Sequence, residues 1–365
     1  MEVPMIIRAA VVIAVLVFVG CASGGASFEE KEWRARVEAE DPATLTSPHF
    51  ADGEYFNPWM EMEDRGFFQF LVWRLFGKKA PYTDEERGYL PAVIPGAPER
   101  IASLNGSDFI LWVGHATFLM RLNGEYWITD PVFSDRIILP VRVTPPALSL
   151  ADLANLGAPL NVVISHNHYD HLDMPSIKAL PQGTRFFVPR GIGAIIRDAG
   201  WSEVAELDWW EETKSAGGAA VTCIPAQHWS RRILEGRNKA LWGSFLIRAG
   251  HRTVYFAGDS GYYIGFREIG RRFPGIDYAL MPTTAYNPRW FMHYAHMDVR
   301  ESLDAFTDLG ARYFIPTQWG TFHLGEEPPG YPALDLRREI VKRGLDPARF
   351  LIMDIGGIAE IAGQP

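Results

Sequence analysis

The feature that most constrains this chain is a run of metal-capable side chains directly after an apolar segment. Residues 160–165 have the composition of a buried strand, and residues 166–171 read HNHYDH. Imidazole and carboxylate groups are the ligands that Zn²⁺ takes in open, catalytic sites. Side chains two residues apart face away from each other on a helix, whereas in a loop beyond a strand they can converge on one ion. The spacing therefore predicts a metal centre at the end of a strand.

Two later segments place a further candidate ligand just beyond an apolar, strand-like run. His228 follows the strand predicted at residues 220–224, and Asp259 follows the strand predicted at residues 253–256. A lone histidine or aspartate at a strand end is usually structural. Because sites in α/β folds gather their ligands at the carboxyl ends of strands, we expect both side chains to join the cluster.

The order of the predicted elements indicates a fold with two layers of strands. Short strands begin at residue 109, and the pair Asn123-Gly124 is a strong signal for a hairpin. Strands then alternate with helices, including a helix at residues 299–309 and a last strand at residues 350–355. Early hairpins followed by β-α alternation predict an α+β or α/β fold with two mixed β-sheets and helices outside.

The N-terminus has the pattern of an export signal. Arg8 precedes an apolar run at residues 9–19, which is too short to span a bilayer, and Gly20-Cys21 follows. A bacterial lipobox has this ending, so we expect a lipoprotein anchored through Cys21 in the bacterial cell envelope after export across the inner membrane. A plain signal peptide or an uncleaved anchor is the alternative.

The chain divides into three predicted parts. They are a signal peptide (1–21), an N-terminal extension with helical and irregular segments (22–105) and a main domain (106–362). In the extension, residues 67–76 are apolar almost all round and end in Gly77 and two lysines, which predicts a helix packed on the main domain. An element lying in a membrane interface is the alternative.

Charge and cysteine content exclude some classes of partner and fold. The formal net charge is -9, whereas binding of nucleic acid needs a basic surface, so we expect no nucleic acid partner. The only cysteines are Cys21 and Cys223, which rules out a disulfide framework. Cys223 lies in an apolar run and is expected to be a small buried side chain.

The motifs, taken in order, resemble the metallo-β-lactamase superfamily and, within it, the N-acyl-phosphatidylethanolamine-hydrolysing phospholipase D branch. The resemblance implies an αββα sandwich with a site for one or two metal ions at one edge. The strings that carry it are GHAT (114–117), TDP (129–131), ISHNHYDHL (164–172), ELDWWEE (206–212), QHW (227–229), LWGS (241–244), FAGDSGY (256–262), PRWFM (288–292) and WGTF (319–322).

The resemblance also implies a role for each candidate residue. It implies a first ion held by His166, His168 and His228, a second ion held by Asp170 and His171, and Asp259 as the bridging carboxylate. Asp130 is expected to orient these ligands through hydrogen bonds, although a turn residue before Pro131 is the alternative. His115 is left outside the ligand set, as a neighbour of the ligands or a buried side chain.

One position departs from the family pattern. The family usually has a histidine immediately before Trp319, and this chain has Gln318 there. The amide oxygen of Gln318 is a weaker ligand for zinc than an imidazole. We therefore expect one or two Zn²⁺ ions, with a second site that fills according to metal supply. His323 is a candidate substitute.

The expected activity is hydrolysis of phospholipids of the N-acyl-phosphatidylethanolamine kind by a metal-activated hydroxide. Asp170 and Asp259 are the candidate catalytic carboxylates, and His296 is expected to act on the phosphate or the leaving oxygen. A lipid substrate and a membrane surface reached through lipidated Cys21 are the expected partners, and a homodimer is compatible with the sequence. The alternatives are a hydrolase of soluble esters or lactones and a metal-binding lipoprotein without turnover.

Overall fold

The structure is a computed structural model of the chain, and it describes residues 28–63, 67–77 and 79–361. The signal peptide expected at residues 1–21, including Cys21, lies outside the described residues and stays a prediction. In the part of the chain that is described, no helix combines the length and apolar character needed to cross a bilayer.

The N-terminal extension has short helices, a small hairpin and irregular loops. Trp33, Val37, Leu45 and Trp59 of this part are buried in the same apolar core as the strands of the main domain. The extension is therefore packed onto the main domain. Its elements are α1 (Glu30–Glu38), a 3₁₀ helix (Pro42–Thr46), β1 (Phe50–Ala51), β2 (Glu54–Tyr55), α2 (Phe67–Phe76), α3 (Asp84–Gly88) and α4 (Ala97–Ser103).

Helix α2 forms where the sequence predicted a helix, and it contacts the main domain on one side. None of its described side chains is buried, and Leu71 and Leu75 are 39% and 66% exposed. Trp73 packs against Trp290, with ring centroids 6.4 Å apart. Because the helix is apolar almost all round, packing on one side leaves other apolar side chains at the surface.

The first large sheet has seven strands in the order β17-β3-β4-β5-β6-β7-β8. The pairs from β5 to β8 are parallel, and the other pairs are antiparallel. Asn123 and Gly124 join β4 to β5 with φ values of 49° and 84°, as the hairpin signal predicted. The strands are β3 (Phe109–Gly114), β4 (Thr117–Leu122), β5 (Glu125–Thr129), β6 (Leu160–Val163), β7 (Arg185–Pro189), β8 (Val204–Leu207) and β17 (Ile358–Glu360).

The second large sheet has six strands in the order β16-β15-β14-β13-β10-β9. The pairs β14–β15 and β15–β16 are parallel, and the remaining pairs are antiparallel. A separate two-stranded hairpin, β11–β12, follows β10. The strands are β9 (Glu212–Lys214), β10 (Ala220–Ile224), β11 (Arg231–Arg232), β12 (Gly236–Arg237), β13 (Ser244–Ala249), β14 (Arg252–Phe256), β15 (Tyr278–Pro282) and β16 (Tyr313–Thr317).

The two sheets pack face to face, and helices cover their outer faces. Strand β3 is apolar on both faces and so is covered on both. Ile110 and Trp112 point into the core between the sheets, whereas Leu111 and Val113 point into the core under the helices. The predicted fold of two mixed sheets flanked by helices is confirmed. The remaining helices are α5 (Leu150–Ala154), α6 (Met174–Lys178), α7 (Ile192–Asp198), α8 (Gly265–Arg272), α9 (Arg289–Met292), α10 (Val299–Leu309) and α11 (Tyr331–Lys342).

The strand predicted at residues 350–355 does not form. Phe350 makes a single bridge to Phe314 of the second sheet, and Ile355 makes a single bridge to Val93, next to the first sheet. The segment crosses from one layer to the other, so it cannot follow either ladder. Its apolar residues fill the end of the core, and the pairing strand β17 starts only at Ile358.

Candidate metal centre

Loops from both sheets meet at one edge of the sandwich. His166 follows β6 of the first sheet, whereas His228 and Asp259 follow β10 and β14 of the second sheet. The loops come closest at Gly258, where φ is +60° and a Cβ atom would collide with the Cβ of Ser165. Glycine is needed there because any side chain would push the two loops apart.

Four of the predicted ligands form the first ligand group, His166, His168, His228 and Asp259, with one ligand atom each within 4.8 Å of the others. His168 Nδ1 lies 2.9 Å from His166 Nε2 and 3.2 Å from His228 Nε2. Asp259 Oδ2 lies 3.8 Å from His166 Nε2 and 3.7 Å from His228 Nε2. Metal–ligand bonds of about 2.0–2.1 Å place neighbouring ligand atoms roughly 3–3.5 Å apart, so these four can share one ion.

The second ligand group is His115, Asp170 and His171. Asp170 Oδ2 lies 3.5 Å from His115 Nε2 and 3.5 Å from His171 Nε2. Asp259 reaches this group with its other oxygen, because Oδ1 lies 3.3 Å from His171 Nε2. The position of Asp259 between the two groups is the one expected of a bridging carboxylate.

Two imidazoles of the first group are held by a hydrogen bond on the ring nitrogen that faces away from the group. His228 Nδ1 donates to the carbonyl oxygen of Ala295 over 3.1 Å. His166 Nδ1 lies 2.9 Å from Ser165 Oγ, which serves as its acceptor. Partners of this kind fix the tautomer and the ring orientation of metal-bound histidines.

Asp130 fixes the second group in the same way. It is fully buried, and its Oδ2 accepts from His171 Nδ1 over 2.6 Å and from Ser165 Oγ over 2.6 Å. Its Oδ1 accepts from the Ser165 backbone N–H over 2.7 Å. Asp130 therefore occupies the orienting position that the sequence predicted, directly behind a candidate ligand.

The protonation states of five candidate ligands suit metal binding. His171 differs, because although burial opposes it, Asp259, Asp170 and Asp130 raise its pKa, so it must release a proton to bind an ion. Burial lowers the pKa of His166 and His228 well below its usual value and that of His168 to about 4. Burial opposes ionisation of Asp170 and Asp259, but nearby His171 holds the pKa of both well below its usual range. Neutral imidazoles and ionised carboxylates are the ligating forms.

The donor set fits a centre for divalent ions. Within the described residues, Nε2 of His168, Nε2 of His171 and both ring nitrogens of His115 are buried without a hydrogen-bond partner. Such orphaned polar atoms are uncommon in folded proteins. The two groups together offer imidazole and carboxylate ligands, which suit zinc and similar ions.

Gln318 and His323 do not take the role of a further ligand. Gln318 follows β16, and its amide nitrogen donates to Asp259 and lies 3.5 Å from the carbonyl oxygen of Gly258. Both neighbours are acceptors, so the amide must present its nitrogen to them rather than its oxygen to an ion. His323 is exposed and belongs to neither ligand group.

His296 and Asp298 have separate roles in the segment before α10. Asp298 caps the helix, accepting from the Glu301 backbone N–H in a reciprocal capping box. His296 Nδ1 lies 3.8 Å from Asp259 Oδ2, is buried, and has no hydrogen-bond partner within the described residues. The structure thus brings His296 to the centre without making it a member of either group.

A cavity of about 670 Å³ opens on the centre. At its inner end lie side chains of the two ligand groups and His296. Its walls are largely apolar, and they include Ile137, Leu139, Phe291, Met292 and Leu324. The site therefore combines a polar, metal-capable floor with a space suited to hydrocarbon.

Sequence reasoning left one residue that shapes the centre outside the ligand set and missed the contribution of another. His115 lies in the GHAT string but has no metal-ligand spacing to signal its role. Asn57, far upstream, donates to the carbonyl oxygen of His228 over 3.0 Å and to the hydroxyl of Tyr294 over 2.7 Å. No local pattern marks Asn57, because its function depends on how the extension folds back.

Residues 126–319 match the domain family described as "Beta-lactamase superfamily domain". An uncharacterized protein of Mycobacterium tuberculosis is 35% identical over 344 residues, which is 85% of this chain and 88% of the relative. N-acyl-phosphatidylethanolamine-hydrolyzing phospholipase D 1 of Caenorhabditis elegans is 34% identical over 276 residues, which is 70% of this chain and 76% of the relative.

Among solved structures, Igni18, a metallo hydrolase from Ignicoccus hospitalis, matches with a TM-score of 0.56 and 21% identity. The match covers 71% of this chain and 100% of that chain, which supports the fold. Family, fold and the clustered histidines and aspartates agree. The chain is a hydrolase of the metallo-β-lactamase superfamily and belongs to its N-acyl-phosphatidylethanolamine-hydrolysing phospholipase D-like branch.

Proposed function

We propose that this protein is a zinc-dependent phosphodiesterase that hydrolyses N-acyl-phosphatidylethanolamine-like phospholipids on the head-group side of the phosphate. The observation that carries the proposal is the apolar cavity that ends on the two ligand groups. Acyl chains can lie along its walls while the phosphate reaches the centre. The name of the Caenorhabditis elegans relative supports the choice of this phospholipid class.

The chemistry requires that water replace the head-group oxygen on phosphorus. Bound zinc would supply an electrophile for the phosphate oxygens and acidify water at neutral pH. A new bond forms from the water oxygen to phosphorus, and the bond from phosphorus to the head-group oxygen breaks. Asp170, which lines the cavity, accepts the one proton that water gives up, Asp259 stays ionised beside it, and His296 donates a proton to the leaving oxygen. The products are phosphatidate and an N-acylethanolamine.

A basic side chain near the centre suits a phosphodiester. Arg237 lines the cavity and lies 5.7 Å from the ring centroid of Trp229, which also lines it. Its Nε atom is buried and has no hydrogen-bond partner within the described residues. A guanidinium group with an unused donor is well suited to a phosphate oxygen.

Exposed apolar side chains near the cavity support contact with a membrane. Leu139 is 79% exposed while it lines the cavity. Trp290 links the cavity to helix α2, because its ring lies 5.5 Å from Phe291 and 6.4 Å from Trp73. We propose that α2 and the loop around Leu139 lie in the interface while lipidated Cys21 anchors the chain in the bacterial envelope.

Lipid-product analysis tests the proposed reaction. Purified, zinc-loaded protein is incubated with vesicles of mixed phospholipids that include N-acyl-phosphatidylethanolamine, and the products are identified by mass spectrometry. We expect phosphatidate and N-acylethanolamine, and neither product with the His166→Ala variant. Release of free fatty acid instead, or turnover of soluble esters alone, would refute the phospholipase D reaction and favour the ester or lactone hydrolase.

Paired substitutions test the membrane surface. Leu139→Glu places a charge at the cavity rim, whereas Val341→Glu changes an equally exposed apolar side chain, 80% exposed, on α11 outside the cavity. We expect Leu139→Glu to lower vesicle binding at least tenfold in a flotation assay, because a charge in the interface is costly. Val341→Glu should bind like the unmodified protein. Equal effects of the two changes on vesicle binding would show that Leu139 is not part of the proposed membrane surface.

A further inference from the structure

We propose that His115 is the imidazole ligand that completes the second ion site of this chain, in place of the histidine that the family has at position 318. The proposal concerns metal binding and does not depend on the substrate. It combines three observations, namely the burial of His115, the way its backbone is held, and the orientation of Gln318.

The His115 side chain has the placement of a ligand without an ion. It is 0% exposed, and its Nε2 atom lies 3.5 Å from Asp170 Oδ2. Its ring centroid lies 5.4 Å from that of His171, whose Nε2 also lacks a hydrogen-bond partner within the described residues. Two unpaired imidazole nitrogens therefore face one ionised carboxylate, which is the donor set of a metal site.

The backbone of His115 is fixed in a conformation that ordinary loops avoid. Its φ is +53°, in the left-handed region that costs most residues free energy. Its N–H donates to Thr321 Oγ1 over 2.8 Å, and its carbonyl oxygen accepts from the Gln318 N–H over 3.0 Å and from Trp112 Nε1 over 2.9 Å. Three hydrogen bonds thus hold this turn so that the imidazole points at Asp170.

Gln318 supports this arrangement and does not compete with it. Its backbone N–H holds the His115 carbonyl, and its side-chain amide nitrogen donates to Asp259. The residue at the family's ligand position therefore anchors His115 and the bridging carboxylate by hydrogen bonds. His115, the buried histidine bonded to the Gln318 backbone, supplies the imidazole that the Gln318 side chain lacks.

Metal titration tests the assignment. The variant His115→Asn removes the imidazole, and asparagine tolerates a positive φ, so the turn is kept. Zinc content is measured by mass spectrometry after equilibration with a competing chelator, and folding is followed by circular dichroism. We expect two ions in the unmodified protein and one ion in His115→Asn, with affinity for the second ion reduced at least tenfold.

A control variant separates His115 from the exposed histidine of the same region. His323→Ala removes the other candidate imidazole, which lies outside both ligand groups, and we expect it to keep two ions. The ion retained by the first ligand group in His115→Asn shows that the centre itself is still folded. Unchanged affinity for both ions in His115→Asn, or loss of the second ion in His323→Ala, would overturn the proposal.

A measurement on the unmodified protein tests the proposal without requiring that any variant fold correctly. Crystals grown with zinc are measured at the zinc absorption edge, which locates each ion directly. We expect His115 Nε2 about 2.0–2.1 Å from the second ion. A second ion held without His115, or a single ion at saturating zinc, would contradict the proposal. Failure to detect the proposed lipid activity would not contradict it, because this experiment measures the position of bound zinc.

Discussion

The two ligand groups lie side by side, yet the chain builds them in different ways. Each member of the first group lies in a loop that directly follows a strand. His166 and His168 follow β6, His228 follows β10, and Asp259 follows β14. The second group takes two members from the same loop as His166, but its third, His115, comes from a tight hairpin turn between β3 and β4.

The difference affects how each group is kept in place. Strand ends position the first group, because β6 of the first sheet and β10 and β14 of the second sheet end at the same edge of the sandwich. The His115 turn is instead held from outside by the loop after β16, through Thr321 and Gln318. The first group is therefore positioned mainly by strand ends, whereas the third member of the second group depends on a contact between distant loops. Substitutions inside and outside the two groups test this difference.

The largest effect is expected at the residue common to both groups. Asp259→Ala removes the carboxylate that faces His166 and His228 with one oxygen and His171 with the other. We expect the variant to lose both ions and its turnover to fall to background, since neither group is complete without it. Metal content and phosphodiester hydrolysis measure this, with circular dichroism as the check of folding. A folded variant that keeps two ions would show that the groups are independent.

A smaller and selective effect is expected at Asp130. Asp130→Asn replaces the carboxylate that orients His171 with a neutral amide that cannot accept as strongly. Loss of such an orienting partner lowers metal affinity by about 10–100-fold. We expect the second ion to be weakened more than the first, measured by chelator competition. Equal weakening of both ions would mean that Asp130 acts on the two groups together, through Ser165.

A substitution at Gly258 tests the close contact between the loops of the two sheets. Gly258→Ala adds a methyl group that collides with Ser165, and we expect it to lower the free energy of unfolding by about 1–3 kcal/mol. Gly310→Ala is the matched control, because its φ of +63° is similar and its Cβ would meet nothing within 4 Å. Urea denaturation compares the two. If both variants lose the same stability, backbone strain alone is responsible and the close approach is not.

The smallest effect is expected outside both groups, at His49 in the extension. Although burial opposes it, a hydrogen bond to Asp208, 2.7 Å away, raises the pKa of His49. The ion pair therefore makes its full contribution to the free energy of unfolding below pH 6.5. This contribution is lost as the pH rises through the raised pKa of His49 in the folded state.

His49→Ala should remove that pH-dependent contribution, about 1 kcal/mol or less. The stability difference from the unmodified protein should be largest in acid and shrink toward pH 8, apart from a constant cost for the lost stacking on Trp209. Thermal unfolding at several pH values measures it, and metal content should not change. A difference that is independent of pH would assign the whole effect to stacking.

Part of the fold was readable because local patterns have local causes. The helix Val299–Leu309 begins at Asp298 and ends before Gly310, with the cap residues that the sequence displays. The hairpin at Asn123 follows from residues that tolerate positive φ. The strand predicted at 350–355 was wrong because its apolar run matches a strand locally, while its path between the two sheets leaves it with one bridge at each end and no continuous ladder.

The residues of the first ligand group could be predicted from the sequence, because His166 and His168 follow an apolar strand at close spacing and the resemblance to the family adds His228 and Asp259. The sequence also determined the two-sheet architecture, through hydrophobic periodicity and turn residues. Only the tertiary structure decided that His115 joins the centre and that Gln318 turns its amide nitrogen toward Asp259. Those contacts join residues far apart in the chain, 59 positions for Asp259 and Gln318 and 206 positions for His115 and Thr321. Their formation depends on how whole sheets pack, which no short stretch of sequence encodes.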